Sequence, residues 1–310
     1  MKETKRLESL IRQKSSPLLP IRAELPSGWE ALVPKKGGGR AAPETPGVRA
    51  FIFDLYGTLF VSGAGEIGAA NEAPGRDPLA PDEWDEREKR AEDTALVSMK
   101  RYFQGAVTAF HEKAKAAGTM FPEIRVEEIW TGYKGPVPAG WGPVSSVREL
   151  ALLYELALNP VYPMPGAGET IGGLVERACV LGIISNAQFF SPLLFGAFFG
   201  KSPRDMGFDP ELLVWSFEEG EAKPSARLFE KAAARLAGRG IKPDETVYVG
   251  NDMKNDMVPA AAAGFRTALF AGDSRSLRLR DMTPRTKTNA GERAVPSFVI
   301  RDLQSLTEIR

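Results

Sequence analysis

The 310-residue chain carries 40 Lys plus Arg against 40 Asp plus Glu, one Cys and one His. That balance sets up no global field toward nucleic acid or an anionic membrane, so any charged ligand must be met by local groups; Cys179 has no partner for an internal disulfide. No apolar run approaches the roughly 20 residues a bilayer span needs, and "MKETKRLESLIRQK" lacks an apolar signal region, so the expectation is a soluble, cytoplasmic protein without membrane or nucleic-acid partners.

Residues 1–47 contain "SSPLLP", "PSGWE" and "PKKGGGRAAPETPG" after a short helix that places Leu7, Leu10 and Ile11 on one face. They read as an N-terminal extension, partly disordered. From residue 48 the pattern changes. Short runs rich in Val, Ile and Phe ("VRAFIF", "CVLGIIS", "LLVWSF", "TVYVG", "RTALF", "SFVI") alternate with helical stretches such as "PSARLFEKAAARLAG" and "DMVPAAAAG". Runs apolar on both faces predict an α/β fold, a Rossmann-like and mostly parallel sheet with helices on both faces. Residues 62–164 interrupt that rhythm with helices ("PDEWDEREKRAEDTALVSMKRYFQGAVTAFHEKAKAAG", "VEEIW", "SVRELALLYELAL") and predict a helical cap, leaving residues 48–61 and 165–310 as the core. "GAGETIGG" at 166–173 follows "YPMP" rather than a strand, so it reads as a plain helix start, not a nucleotide loop.

Polar residues just after strands at the carboxyl edge of a parallel sheet meet in one crevice. Four places qualify: Asp54 with Tyr56 and Thr58; Ser185 and Asn186 after "GII"; Lys223 before the helix-opening Pro224; and Asp252 with Asp256, four residues apart after "VYVG". Each has an ordinary use alone. Asp54 suits a turn, Ser185 and Asn186 a strand exit, Lys223 a solvated surface, and an acidic pair the start of a helix. Asn251 and Asn255 flank the acidic pair, His111 sits within a cap helix as a structural residue, and Phe189 and Phe190 read as core packing ahead of pocket wall.

In that order the four places resemble the haloacid dehalogenase-like hydrolase superfamily over residues 48–303: an Asp-x-Asp-x-Thr-type strand end, a Ser or Thr after a second strand, a Lys opening a helix, and a closing acidic pair, often with a helical cap after the first motif. The resemblance implies a Mg²⁺-dependent phosphatase acting on a small phosphorylated metabolite. Asp54 is then the nucleophile that forms an aspartyl-phosphate, Ser185 and the amides around Asn186 hold a phosphate oxygen, Lys223 neutralises charge, Thr58 orients the nucleophile's loop, and Mg²⁺ is held by Asp54, the Tyr56 carbonyl, Asp252 and Asp256. The chemistry agrees, because an anionic ester repels a carboxylate until its oxygens are neutralised, and Mg²⁺ needs only one or two protein carboxylates beside the substrate.

Tyr56 departs from that pattern. Phosphatases of the family usually carry a second Asp there as general acid and base, and a phenol of pKa about 10 is a poor base at neutral pH. Asp-x-Tyr-Gly-Thr is instead what the 2-haloacid dehalogenase branch carries; that branch needs neither acid nor metal but uses a cap arginine, for which Arg87, Arg90 and Arg101 are available. Two carboxylates facing a carboxylate nucleophile repel unless a cation lies between them, which favours the magnesium reading. A catalytically weak, metal-binding regulatory protein is the third reading.

Overall fold

The computed structural model describes residues 2–33, 47–64, 91–280 and 295–310. Ala50–Phe53 (β1) is the middle of a six-stranded parallel sheet, flanked by Val180–Ser185 (β4) and Thr246–Gly250 (β6). Phe208–Trp215 (β5) lies outside β4, and Arg266–Phe270 (β7) then Phe298–Ile300 (β8) lie outside β6, giving the order β5-β4-β1-β6-β7-β8. The chain leaves β1 for one side of the sheet and later returns to the other, so strand order reverses at β1. Loops after β1, β4 and β6 therefore diverge around one crevice.

All four β1 residues are buried because both faces are covered. Phe51 and Phe53 enter one apolar layer; Ala50 and Ile52 enter the other. The second layer is closed by Ala226–Ala237, whose Leu228, Phe229, Ala232 and Leu236 share one helical face. The first is closed in part by Ala167–Glu176, which buries Ala167, Thr170, Ile171 and Leu174; this is the plain helix expected from "GAGETIGG".

Between β1 and β4 the described chain is chiefly helical: Ala91–Ala116, Val126–Thr131 and Val147–Leu158. Their mutual contact is aromatic, with Trp130 ring centroids 5.5 Å from Phe103 and 4.6 Å from Tyr154. Phe60–Ser62 (β2) and Val161–Pro163 (β3), the segments leading into and out of these helices, pair antiparallel, and Ser62 Oγ donates to Asn159 Oδ1 at 2.8 Å. The sequence reading had no strand at "VYP", where two prolines in four residues mask a three-residue pairing.

The N-terminal helix α1 (Lys2–Lys14) buries Leu7 and Ile11 and packs on both Val147–Leu158 and Leu193–Phe199. Arg6 donates from Nε and Nη2 to Glu149 at 3.1 and 2.7 Å. The chain then runs extended along the body, where Ile21 N donates to Asp273 Oδ1 and Ser274 N to Ile21 O. The Gly-rich part of the expected extension lies outside the described residues.

A second junction joins the inserted helices to the sheet. Ala222 N donates to Phe121 O, Glu123 N to Gly220 O, and Gln188 Nε2 to Ile124 O. Glu123 turns its carboxylate inward, accepting from Ser216 Oγ at 2.6 Å and Ile124 N at 2.9 Å. Burial raises its pKa to about 7 against those hydrogen bonds. A carboxyl whose folded pKa lies above its unfolded value loses stability as pH rises between the two. Glu123→Gln keeps an acceptor without the charge, so its Tm should fall less than the wild-type Tm between pH 5 and 8. The difference should be about 1–2 kcal/mol, reduced from the full shift by the residue's partial exposure. Calorimetry at several pH values checks this; parallel pH profiles would refute it.

Candidate active site

Asp54 follows β1 directly, and its amide donates to Val249 O at 2.8 Å, the last rung before the chain turns. Leu55 O accepts from Thr58, Leu59 and Phe60 amides, which closes the turn over Gly57 at φ 77°. Glycine is required there twice over. The backbone is left-handed, and a Cβ would stand 2.3 Å from Ser276 Cβ and 2.5 Å from Asn251 Nδ2.

The centre of the site is Lys223. Its ammonium lies 2.6 Å from Asp54 Oδ1 and 2.6 Å from Asp256 Oδ1, with its side chain 4% exposed. Burial alone would push the Lys223 pKa down, but Asp256 and Asp54 outweigh it and raise it, so the side chain stays charged. Asn186 fixes the lysine's backbone by accepting from Lys223 N at 2.7 Å, and Ser185 Oγ donates to Asp54 Oδ1 at 2.9 Å. Asp54, Ser185, Asn186, Lys223 and Asp256 thus share one buried cluster. Among the described hydrogen bonds none reaches Asp54 Oδ2.

The two acidic residues after β6 divide. Asp256 spends Oδ2 on the Asn251 and Asp252 amides, both at 3.0 Å, and Oδ1 on Lys223 and the Tyr248 hydroxyl at 2.9 Å. Its close approach explains Gly250, where a Cβ would meet Asp256 Cγ at 2.6 Å. Burial raises the Asp256 carboxyl, Lys223 pulls it back, and Asp54 and Asp252 push it up, for a value of about 7. Asp252 caps the π-helical turn Met253–Met257, accepting from Lys254 N, Asn255 N and Asn255 Nδ2. Its carboxylate also accepts from Arg280 Nε at 3.0 Å and Nη2 at 2.6 Å.

Tyr56 is 4% exposed, and its hydroxyl lies 2.9 Å from Ser191 Oγ, which in turn accepts from Gln188 N. Burial first, then the charge of Glu155, raises its pKa well above the ordinary phenol value, and the Ser191 bond only partly offsets this. The phenol is therefore neutral at neutral pH. Thr58 is fully buried, with Oγ1 3.5 Å from Asn251 Oδ1. Phe189 and Phe190 are buried edge to face at 5.1 Å, and the Arg148 guanidinium lies 4.3 Å over the Phe189 ring. His111 is half-buried beside Phe110, and Arg101 is exposed on its helix; Arg87 and Arg90 lie outside the described residues.

Sequence reasoning missed Tyr248, Ser191, Ser276 and Arg280. Tyr248 carried a readable signal, since a phenol inside the buried run "TVYVG" needs a partner for its hydroxyl. The other three reach the site through tertiary contact alone. Ser276 Oγ is buried without a hydrogen-bond partner among the described residues, beside Gly57 and Asn251.

Magnesium was expected here. Among the described residues no three His, Cys, Asp or Glu side chains converge as a ready metal cage. Asp54 Oδ2 is open among the described hydrogen bonds, and Asp252 lies behind Arg280. Hard oxygens of this kind, few in number, fit an ion that keeps several waters and takes further ligands from its substrate.

The family described as haloacid dehalogenase-like hydrolase matches residues 48–264. A glyceraldehyde 3-phosphate phosphatase of Methanothermobacter thermautotrophicus is 28% identical over 153 residues, 47% of this chain and 58% of that protein. A ribulose-1,5-bisphosphate 5-phosphatase of Halopiger xanaduensis is 30% identical over 148 residues, 47% of this chain and 55% of that protein. The chain thus spans little more than half the length of these curated relatives. Among solved structures, the 2-haloacid dehalogenase of Pseudomonas syringae pv. Tomato aligns with a TM-score of 0.46 at 18% identity, covering 84% of this chain and 97% of that one.

Removing the ammonium tests the cluster. Lys223→Met leaves two carboxylates buried and uncompensated and should cost about 3–5 kcal/mol at pH 8. At pH 5.5 the loss should shrink, because Asp256, already held up to about 7, takes a proton in the folded state. Urea denaturation at the two pH values measures it, and an equal loss at both would rule out charge as the cause.

Proposed function

The chain belongs to the haloacid dehalogenase-like hydrolase family, and from that premise we propose that it is a Mg²⁺-dependent phosphatase acting on a small phosphorylated metabolite through an aspartyl-phosphate. Residues 62–164 form its cap, residues 48–61 and 165–310 its catalytic core, and residues 1–47 an extension. Its single, buried cysteine suits a reducing cytoplasm.

The observation that carries the reading is the asymmetry of Asp54: Oδ1 is held by Lys223 and Ser185, while Oδ2 is left open among the described hydrogen bonds. A carboxylate fixed through one oxygen presents the other in a set direction, which removes an orientational cost from attack. Oδ2 attacks phosphorus, the ester P–O bond breaks, and the leaving oxygen takes its proton from water. Water then opens the aspartyl-phosphate and releases inorganic phosphate, restoring Asp54. Throughout, Lys223 compensates the charge on the nucleophile's pinned oxygen, Asn186 and Asp256 keep Lys223 in place, and Thr58 with Asn251 supports the turn at Gly57. Bound Mg²⁺, held by Asp54, the Tyr56 carbonyl and Asp252, would supply charge neutralisation at the nonbridging oxygens. Asp256, both oxygens engaged, serves as the anchor of Lys223. The phosphatase relatives support a phosphorylated substrate.

A 2-haloacid dehalogenase is the second reading, favoured by the Asp-Leu-Tyr-Gly-Thr run at residues 54–58 and by Lys223, which neutralises Asp54 and Asp256 without a metal. Phosphate release across a panel of phosphate esters, abolished by chelator, selects the phosphatase. Halide release from a 2-haloacid in chelator selects the dehalogenase, and inactivity on both would leave a binding protein.

Asp54→Asn should abolish turnover on whichever substrate is found, with circular dichroism and Tm unchanged or improved; substantial residual turnover would mean that another group attacks. Tyr56→Phe is expected to cost about 1 kcal/mol of stability for the lost Ser191 bond and to change kcat by less than about 3-fold. A general acid or base would lose roughly 10²- to 10⁴-fold, so a drop of that size would return Tyr56 to the proton-transfer role.

A further inference from the structure

The loop after β7 contributes a cation that neither the motifs nor the proposed mechanism uses. Residues 276–280 lie against the turn after β6: Arg278 N donates to Asn251 O, Met253 N donates to Arg278 O, and Asn251 Nδ2 donates to Ser276 O at 2.7 Å. At the end of this stretch Arg280 adopts a left-handed backbone, φ 48°, a costly conformation for a residue with a Cβ. That conformation delivers its guanidinium to Asp252, where Nε and Nη2 engage the carboxylate at 3.0 and 2.6 Å.

The carboxylate has no capacity left. A carboxylate offers about four lone-pair directions. Three donors of its own turn, Lys254 N, Asn255 N and Asn255 Nδ2, already take part of them, and Arg280 takes the remainder. Two of the turn donors, Lys254 N and Asn255 N, are backbone amides that stay when Arg280 leaves, so Asp252 keeps its aim. Arg280 can leave. Its side chain is 31% exposed against 8% for Asp252, so the guanidinium has water beside it to move into.

We propose that Arg280 is a resident counter-cation of Asp252 that a divalent ion must displace, so that this arginine sets the metal affinity of the site. The proposal rests on the magnesium reading given above. It makes the Asp252–Arg280 pair and the Asp252–metal bond mutually exclusive, so the ion's affinity is lowered by the free energy of the pair that it breaks. Arg280 acts on the site only through Asp252 and is not a catalytic residue.

The test is a double-mutant cycle on metal binding, read by Mn²⁺ electron paramagnetic resonance and by Mg²⁺ calorimetry with no substrate present. Arg280→Ala, and Arg280→Gln as a variant that keeps the stem, should bind Mn²⁺ roughly 10-fold more tightly than wild type. In an Asp252→Asn background the same change at Arg280 should alter the affinity by less than about 2-fold, because nothing is left to release. Circular dichroism verifies that every protein in the comparison is folded. Equal tightening in both backgrounds would mean that Arg280 acts by charge at a distance, and the displacement idea would fail while the metal site stood. Wild-type binding that Arg280→Ala leaves unchanged would also overturn it. Absence of Mn²⁺ binding from every variant would remove the magnesium reading itself, and the proposal with it.

Discussion

One buried ammonium between two carboxylates governs this molecule's site. Taking charges out of water is expensive, and the attraction between them offsets that only when each lone pair and each proton finds a partner. The surrounding residues answer that demand one by one. Asn186 holds the Lys223 backbone, Tyr248 and two amides complete Asp256, and Ser185 shares Asp54 Oδ1. Gly250 exists as glycine because Asp256 must lie against it. Side chains from four separate segments are thereby held in one arrangement, and Asp54 emerges with a pinned and an open oxygen.

The residues around Tyr56 show how a site changes its chemistry without changing its frame. A carboxylate at this position would be another negative charge beside a cluster that already holds Asp54, Asp252 and Asp256 against Lys223 and Arg280. The phenol adds no charge, fills apolar space, and satisfies its hydroxyl on Ser191 in the loop after β4. It thereby joins the first strand end to the loop after the second through a neutral bond.

Much of the fold was legible because it follows from local pattern. Runs such as "VRAFIF" and "TVYVG" are apolar on both faces, and only a sheet covered on both sides has use for them. Asp54 and Ser185 were legible for a related reason, since polar residues directly after such runs fall at the sheet's carboxyl edge, and Lys223 was legible by its place ahead of the helix-opening Pro224. What stayed hidden depends on contacts distant in sequence. Arg280 lies beyond the last motif in a loop with no periodicity, and nothing local says that it reaches Asp252. Glu123 sits in "FPEIRVEEIW" among several glutamates, and only its packing against Ser216 sets it apart from them. The Pro-rich stretch after the first helix reads as partly disordered by composition, yet Ala23 is buried, because it finds its partners elsewhere on the body.

That start of the chain has a mechanical meaning. The first helix touches the inserted helices through Glu149 and the sheet layer through Leu193–Phe199, and the strand-like segment that follows is tied at Ile21 to Asp273. Asp273 stands three residues before Ser276 and seven before Arg280. A swing of the inserted helices away from the sheet would have to shear the Arg6–Glu149 fork or drag the N-terminal helix with it. In the second case the pull would pass through Ile21 to Asp273, in the loop that borders the acidic turn, so the N-terminal residues couple the inserted helices to that loop.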